Sequence, residues 1–201
     1  MSLAGVRTWF DQHGDGDPLV LLHPGGAGVD ARAFGPNIGP PAARFHVYTP
    51  ERRGHGRTPD VAGPISFAAM AQDTIAFLEA VVGRPAHLVG CSDGATVGLL
   101  VALRRPDLVD RLVLVAGVFH YDGWLAHVID PSNRPPEFMA RLYEEVSPDG
   151  AGHYQVVVDK LAHMHTHEPT LTPDDLSDLS RRAGEAWWPP YAAAGGSSFG
   201  A

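Results

Sequence analysis

The sequence predicts an α/β fold, a mostly parallel sheet flanked by helices, and three observations carry that prediction. Apolar strand-like runs alternate with helix-period runs from Leu19 to Gly117, the order that buries a parallel sheet under helices on both faces. The stretch Ala86 to Gly117, AHLVGCSDGATVGLLVALRRPDLVDRLVLVAG, reads by itself as strand, tight turn, helix and strand. From Val118 to Glu168 the strand signal stops, and two or three helices separated by Pro and Gly turns take its place.

Composition narrows the class. At 201 residues the chain can bury one real core but not comfortably two. Its 44% hydrophobic and 19% charged residues are those of an ordinary globular protein. A formal net charge of -8 argues against nucleic acid or an anionic membrane as partner, because phosphate binding needs clustered Lys and Arg. The densest basic cluster, Arg52, Arg53, His55 and Arg57, lies in a glycine-rich loop and reads as a solvated, partly ion-paired loop. Cys91 is the only cysteine, so no intrachain disulfide can form. The opening MSLAGVRTWFDQHG lacks the pattern of a secretory leader, and no run approaches the ~18 apolar residues of a membrane span. The expected location is therefore cytoplasmic.

In chain order, Val6 to His13 alternates loosely and meets the turn cluster Gly14 to Pro18, and Leu19 to Leu22 follow as an apolar run. These segments predict a hairpin leading into a buried strand. Asp30 to Ala43 is a weak helical stretch broken by Gly35, Pro36, Gly39, Pro40 and Pro41, so no full-length helix is expected there. Phe45 to Thr49 is the next strand. Ser66 is a good N-cap, and Phe67, Ala71, Ile75, Leu78 and Val82 repeat at helical spacing before Gly83 and Pro85 stop the run. In the following helix, Gly94 and Gly98 stand one turn apart and permit close approach to the sheet. The helical block is predicted at Trp124 to Ile129, Pro136 to Val146 and Tyr154 to Met164.

The chemistry concentrates at Gly90-Cys91-Ser92-Asp93-Gly94. A glycine on each side of a serine, with a strand before and a helix after, lets the chain reverse sharply and leaves the serine hydroxyl exposed on a strained turn. The N–H groups at the start of the helix then face any developing oxyanion. The same five residues can make a plain strand-to-helix turn; the flanking strand and helix favour the nucleophile elbow. Cys91, sent the other way by strand alternation, is expected to be a small buried apolar residue. After the strand Leu19 to Leu22, His23-Pro24-Gly25-Gly26 is a turn whose glycines can aim an N–H inward. His163, His165 and His167 invite a metal reading, but two facing histidines are half a site, and a solvated helix face is expected instead.

The elbow, the turn at His23 and the run Arg53-Gly54-His55-Gly56-Arg57-Thr58, in that order, resemble the hallmarks of the α/β-hydrolase family over about residues 6 to 178. The resemblance implies Ser92 as nucleophile, with the N–H groups of Gly25 and Asp93 as the oxyanion hole. Asp93 would contribute its N–H rather than its carboxylate. It also makes His23 a loop anchor rather than a base and His55 part of a structural turn. Residues 1–117 would be the core, 118–168 a helical lid over the nucleophile, and 169–201 a return segment with an irregular tail. Phe119 and Trp124 are candidate substrate contacts in the lid. The implied activity is hydrolysis of small esters or lactones through an acyl-enzyme, with a small-molecule substrate, no cofactor and no metal. Serine at the elbow favours this over epoxide or haloalkane opening, which use a carboxylate nucleophile.

The family places its acid and histidine after two further strands, in the order Ser, Asp, His. After Val158 this sequence has no Val or Ile at all, so such strands are not expected. The fold is thus expected to be incomplete at its C-terminal side, through truncation or a frame-shifted ending, with a shortened family member bearing its own tail as the alternative. From about Ser180 the text is Ala-, Gly-, Trp- and Pro-rich without periodicity, the composition of a loosely packed tail. Asp122, just past the strand Leu112 to Ala116, is the best surviving candidate for the acid. That strand would be left as an apolar edge, open to pairing with another copy. A catalytically inactive family member is the second functional expectation, because a serine without its base loses on the order of 10⁶ in turnover.

Overall fold

The computed structural model describes residues 1–130 and 135–182. Most of the expected irregular tail lies outside these residues. Its centre is a five-stranded sheet of β3 (Phe10–His13), β4 (Asp17–Leu22), β5 (Phe45–Pro50), β6 (Ala86–Cys91) and β7 (Val109–Val115), in the order β3-β5-β4-β6-β7. Strands β1 (Ser2–Leu3) and β2 (Val6–Arg7) form a separate two-stranded ribbon. β4, β5, β6 and β7 run parallel, and only β3 is antiparallel, paired to β5 from Phe10↔Pro50 to His13↔Val47. The mostly parallel sheet is therefore present. The hairpin expected between Val6–His13 and Leu19–Leu22 is not, because β5 inserts between β3 and β4.

Alternation along β4 sends Val20 and Leu22 to one face and Leu19 and Leu21 to the other. The first face carries the main core, where α2 (Phe67–Phe77) and α3 (Asp93–Arg104) pack on the sheet through Phe67, Met70, Ala71, Val97 and Val101. Ser66 caps α2, its hydroxyl accepting the Ala69 N–H at 3.0 Å. α2 widens into a π-helical turn over Leu78–Val82 and stops where Gly83 adopts φ 69° and donates its N–H to Leu78 O. The second face is thinner: Leu19, Leu21 and Val47 are covered by Phe34, Ala42 and Phe45.

No single α-helix spans Asp30 to Ala43, but the prolines leave room for a shorter one. A short 3-10 turn (Ala31–Phe34) leads into α1 (Gly35–Ala42), with Pro36 in its first turn and Pro40 and Pro41 inside. No residue of α1 is buried. Pro36 falls in the first turn, where the N–H groups have no intrahelical acceptor to lose, whereas Pro40 and Pro41 each forgo a bond and the helix ends at Ala42.

Beyond β7 come α4 (Ala126–Ile129), α5 (Glu137–Glu144), α6 (Tyr154–His165) and α7 (Pro173–Arg182). Trp124, Tyr143, Val157, Leu161 and Met164 join the main core, so these helices sit on the same side of the sheet as α2 and α3. Polar ties fasten them: Asp60 accepts from His153 and Lys160, Arg32 bridges Asp30 and Glu145, and the Glu168 carboxylate accepts the Phe67 N–H. Among the described residues no helix is long and apolar enough to cross a membrane.

Candidate active site

Ser92 stands between β6 and α3 with φ 53° and ψ -121°, a left-handed conformation that a residue with a Cβ adopts only under constraint. The constraint is visible on both sides. A Cβ on Gly90 would lie 2.3 Å from Gly94 O, and one on Gly94 would lie 2.0 Å from Leu22 O, so neither glycine can be replaced without moving backbone. The Ser92 N–H donates to Val115 O at 2.8 Å, tying the turn to the end of β7. Its carbonyl accepts from Ala95 and Thr96 and starts α3. Among the described residues the Ser92 hydroxyl has no hydrogen-bond partner, and Ser92 is the N-cap of a twelve-residue helix.

Gly25, in the loop after β4, lies against Asp93. A Cβ there would fall 1.8 Å from Asp93 Oδ2, so only glycine lets the two chains come this close. The Asp93 side chain, expected to be uninvolved, has partners of its own. Its carboxylate is buried and both oxygens face His165 Nε2, at 2.9 and 3.1 Å. Burial alone would raise the Asp93 carboxyl, but the hydrogen bond and charge of His165, with Arg52 and His55 behind, outweigh it and hold the group below the usual carboxylate range.

The sequence pattern predicts a solvated face for His165; the structure buries it. It packs edge-on to Trp124, with ring centroids 5.0 Å apart, and tilted against Phe67. Its neighbours His163 and His167 are exposed, ring to ring at 4.3 Å. A signal for the difference existed: His165 is four residues past Leu161 and eight past Val157, on the apolar stripe of α6, whereas His163 and His167 are not. Among the described residues no cluster of three or more His, Cys, Asp or Glu side chains could hold a metal ion.

Arg52 is the second residue the sequence did not mark out. Only 3% exposed, it donates its backbone N–H to His23 Nε2 at 3.2 Å and its Nη2 to Pro24 O at 2.8 Å, while Nε and Nη1 have no partner among the described residues. Burial pulls its pKa down to about 10 even with the Asp93 charge nearby. Because His23 Nε2 accepts from that backbone N–H, its proton sits on Nδ1, which donates to Pro24 O at 2.7 Å. Burial, with Arg52 and His55 adding to it, holds the His23 pKa well below the ordinary histidine value. His55 is pushed down to about 4, mainly by burial and then by Arg52, and its Nδ1 bonds Arg53 O. Both rings are neutral at pH 7 and anchor loops.

The remaining candidates lie apart. The Asp122 carboxylate is largely exposed and pairs with His120 Nδ1 at 3.3 Å rather than with any group bonded to Ser92. Phe119 is 40% exposed, whereas Trp124 is buried and donates Nε1–H to Glu168 O at 3.1 Å. The structure thus brings Ser92, Gly25 and Asp93 together, adds His165 and Arg52, and leaves Asp122 outside the group. Cys91 is half-buried and a free thiol.

A strained serine at a strand-to-helix turn, with a glycine loop beside it at the same end of a parallel sheet, defines the α/β-hydrolase class, and residues 18–155 match the family described as the alpha/beta hydrolase fold. The chain belongs to that family. It is 31% identical over 182 residues to RutD of Agrobacterium fabrum, named as a carbamate hydrolase, a match covering 88% of this chain and 66% of the relative. It is 32% identical over 121 residues to the (E)-2-((N-methylformamido)methylene)succinate hydrolase of Acinetobacter baylyi, covering 59% of this chain and 45% of that protein. Among solved structures, the meta-cleavage product hydrolase CumD of Pseudomonas fluorescens IP01 superposes with a TM-score of 0.63 at 26% identity, covering 90% of this chain and 66% of that one. The first curated relatives are matched over 40% to 47% of their length, so the chain spans about half of them or less.

Proposed function

We propose that the chain carries the nucleophile half of a serine hydrolase acting on small esters or lactones. The observation behind this reading is the Ser92 backbone: φ 53° is held by two glycines that tolerate no side chain, and the hydroxyl is left unbonded at a helix N-terminus. In this reading Ser92 Oγ attacks the carbonyl carbon as its proton passes to a base. The oxyanion is received by the N–H groups of Gly25 and Asp93, neither of which has another acceptor among the described residues. The leaving alcohol departs with a proton, and water then hydrolyses the acyl-serine. Trp124, which touches His165, and the half-open Phe119 would border the acyl pocket, with residues 118–168 as the lid. This chemistry needs no cofactor. The relatives named as hydrolases support the class of reaction; the ester or lactone substrate is our inference.

One observation favours a second reading, an inactive family member: among the described residues no histidine or carboxylate bonds the Ser92 hydroxyl. Fluorophosphonate labelling and p-nitrophenyl acetate turnover, each compared with Ser92→Ala, decide between them. Labelling that disappears in the variant supports the hydrolase. A folded protein that labels no better than Ser92→Ala leaves the inactive reading.

A further inference from the structure

Arg52 is buried at a cost that its contacts do not repay in stability. Of its side-chain N–H groups only those on Nη2 reach an acceptor, Pro24 O at 2.8 Å, while Nε and Nη1 have none among the described residues. Nor does it form an ion pair among them: the Asp93 carboxylate acts on it at a distance and accepts from His165 instead. A guanidinium taken out of water for one neutral acceptor is a net loss to the fold, and an apolar side chain of similar volume would serve stability at least as well. With a pKa of about 10, the group still carries its charge at pH 7.

The acceptor gives that charge a use. Pro24 O and the Gly25 N–H belong to one peptide unit, and it is trans, since the only cis bond among the described residues is Glu168–Pro169. Its C=O and N–H therefore point in opposite directions. Two buried donors hold the oxygen, His23 Nδ1–H at 2.7 Å and Arg52 Nη2–H at 2.8 Å. They are fixed to one another as well, because the Arg52 backbone N–H donates to His23 Nε2. With the oxygen pinned from behind, the Gly25 N–H is turned the other way, and among the described residues it bonds no backbone acceptor. A cation on the carbonyl also polarises the peptide, which makes its N–H a stronger donor. The front of the peptide needs that help. Asp93 Oδ2 lies where a Gly25 Cβ would be, so an oxyanion received by the Gly25 N–H forms close to a carboxylate. His165 engages that carboxylate from the helix side, and Arg52 sets a positive charge behind the peptide.

We infer that Arg52 is a positioning residue for the oxyanion hole: by holding Pro24 O it aims the Gly25 N–H and strengthens it as a donor. The hold on Pro24 O stands on the geometry alone; its service to an oxyanion rests on the hydrolase reading.

The test compares the full chain with Arg52→Met, Arg52→Lys and Ser92→Ala in p-nitrophenyl acetate turnover and in melting temperature. Alongside, NMR follows the Pro24 carbonyl carbon and the Gly25 amide proton. Arg52→Met keeps the bulk and removes the charge and the donor. Its kcat should fall about tenfold to a hundredfold, less than the ~10²–10³ for loss of an oxyanion donor outright, with KM within about twofold and no fall in melting temperature. Both NMR signals should move upfield. Arg52→Lys, which restores a cation, should bring kcat and both signals back toward the parent. A kcat in Arg52→Met equal to the parent's overturns the inference, and so does a raised KM at constant kcat. An Arg52→Met chain that fails to fold, or melts more than about 4 °C lower, marks Arg52 as structural and overturns it too. A parent no faster than Ser92→Ala sinks the hydrolase reading instead. The NMR signals then decide the hold by themselves: shifts in Arg52→Met keep it, and unmoved signals overturn it.

Discussion

Replacing Gly94 by Ala should be far more damaging than the same change at Gly98, one turn along the same helix. At Gly94 the new Cβ would lie 2.0 Å from Leu22 O and 2.6 Å from His23 O. Ordinary carbon–oxygen contacts begin near ~3.3 Å, so the helix must lift by more than 1 Å on the order of the shortfall. β4 cannot yield instead, because it is hydrogen-bonded to β5 on one side and β6 on the other. Lifting α3 loosens Val97 and Val101 from the core, and overpacking of this kind costs about 3 kcal/mol at the upper end of the usual range. At Gly98 the Cβ would meet only side-chain tips, Leu112 Cδ1 at 3.3 Å and Leu22 Cδ1 at 3.5 Å. There the gain of about 1 kcal/mol for Ala over Gly in a helix interior offsets the crowding. For a chain of this size 1 kcal/mol moves Tm by roughly 2–4 °C, so Gly94→Ala should melt about 6–12 °C lower and Gly98→Ala within about 4 °C of the parent. Calorimetry measures both. Two melting temperatures within about 2 °C of each other would refute the claim that α3 rests on the β4 backbone at Gly94.

Asp93→Asn should lower stability at pH 7 by about 3 kcal/mol, the cost of breaking a buried pair, and should flatten the acid limb of the stability curve. The carboxylate is held below its ordinary value, so its contribution is present above the unfolded pKa and is lost as pH falls through the folded one; an unchanged acid limb in urea titrations would contradict the assignment. Glu51 gives the opposite slope. Burial, opposed by the backbone N–H and charge of Arg57, raises its pKa to about 7 from 4.5. The folded chain therefore favours the protonated form, and stability falls by about 3 kcal/mol as pH rises from below 4.5 to above 7. Glu51→Gln should remove that fall between pH 5 and pH 8, and denaturant midpoints at the two pH values read it directly.

Much of the site was legible because its requirements are local. Gly90 and Gly94 flank Ser92 for a steric reason that acts within five residues, and the cap at Ser66 and the stop at Gly83 act within one turn. What the sequence hid is tertiary. β3 pairs with β5, a partner more than thirty residues away whose choice leaves no trace in either strand. The charge of Arg52 looked like part of a solvated basic loop, and its burial depends on His23 and Pro24, which arrive from another strand. His165 sat in a run of alternating histidines, and the apolar stripe that buries it was outweighed by its exposed neighbours. The weak helical stretch Asp30 to Ala43 resolves into a 3-10 turn and the eight-residue helix Gly35–Ala42, a division the sequence pattern did not locate.

The place of β4 in the middle of the sheet has a consequence for synthesis. Its neighbour β5 follows within about 25 residues, but its other neighbour, β6, lies about 70 residues further along the chain, at the register Leu22↔Gly90. At ~5–20 residues per second, a ribosome needs several seconds to make that stretch, and through them one edge of an apolar strand waits unpaired. The elbow serine is the residue that follows β6, so the strand that completes the centre of the sheet and the turn that carries its chemistry emerge together.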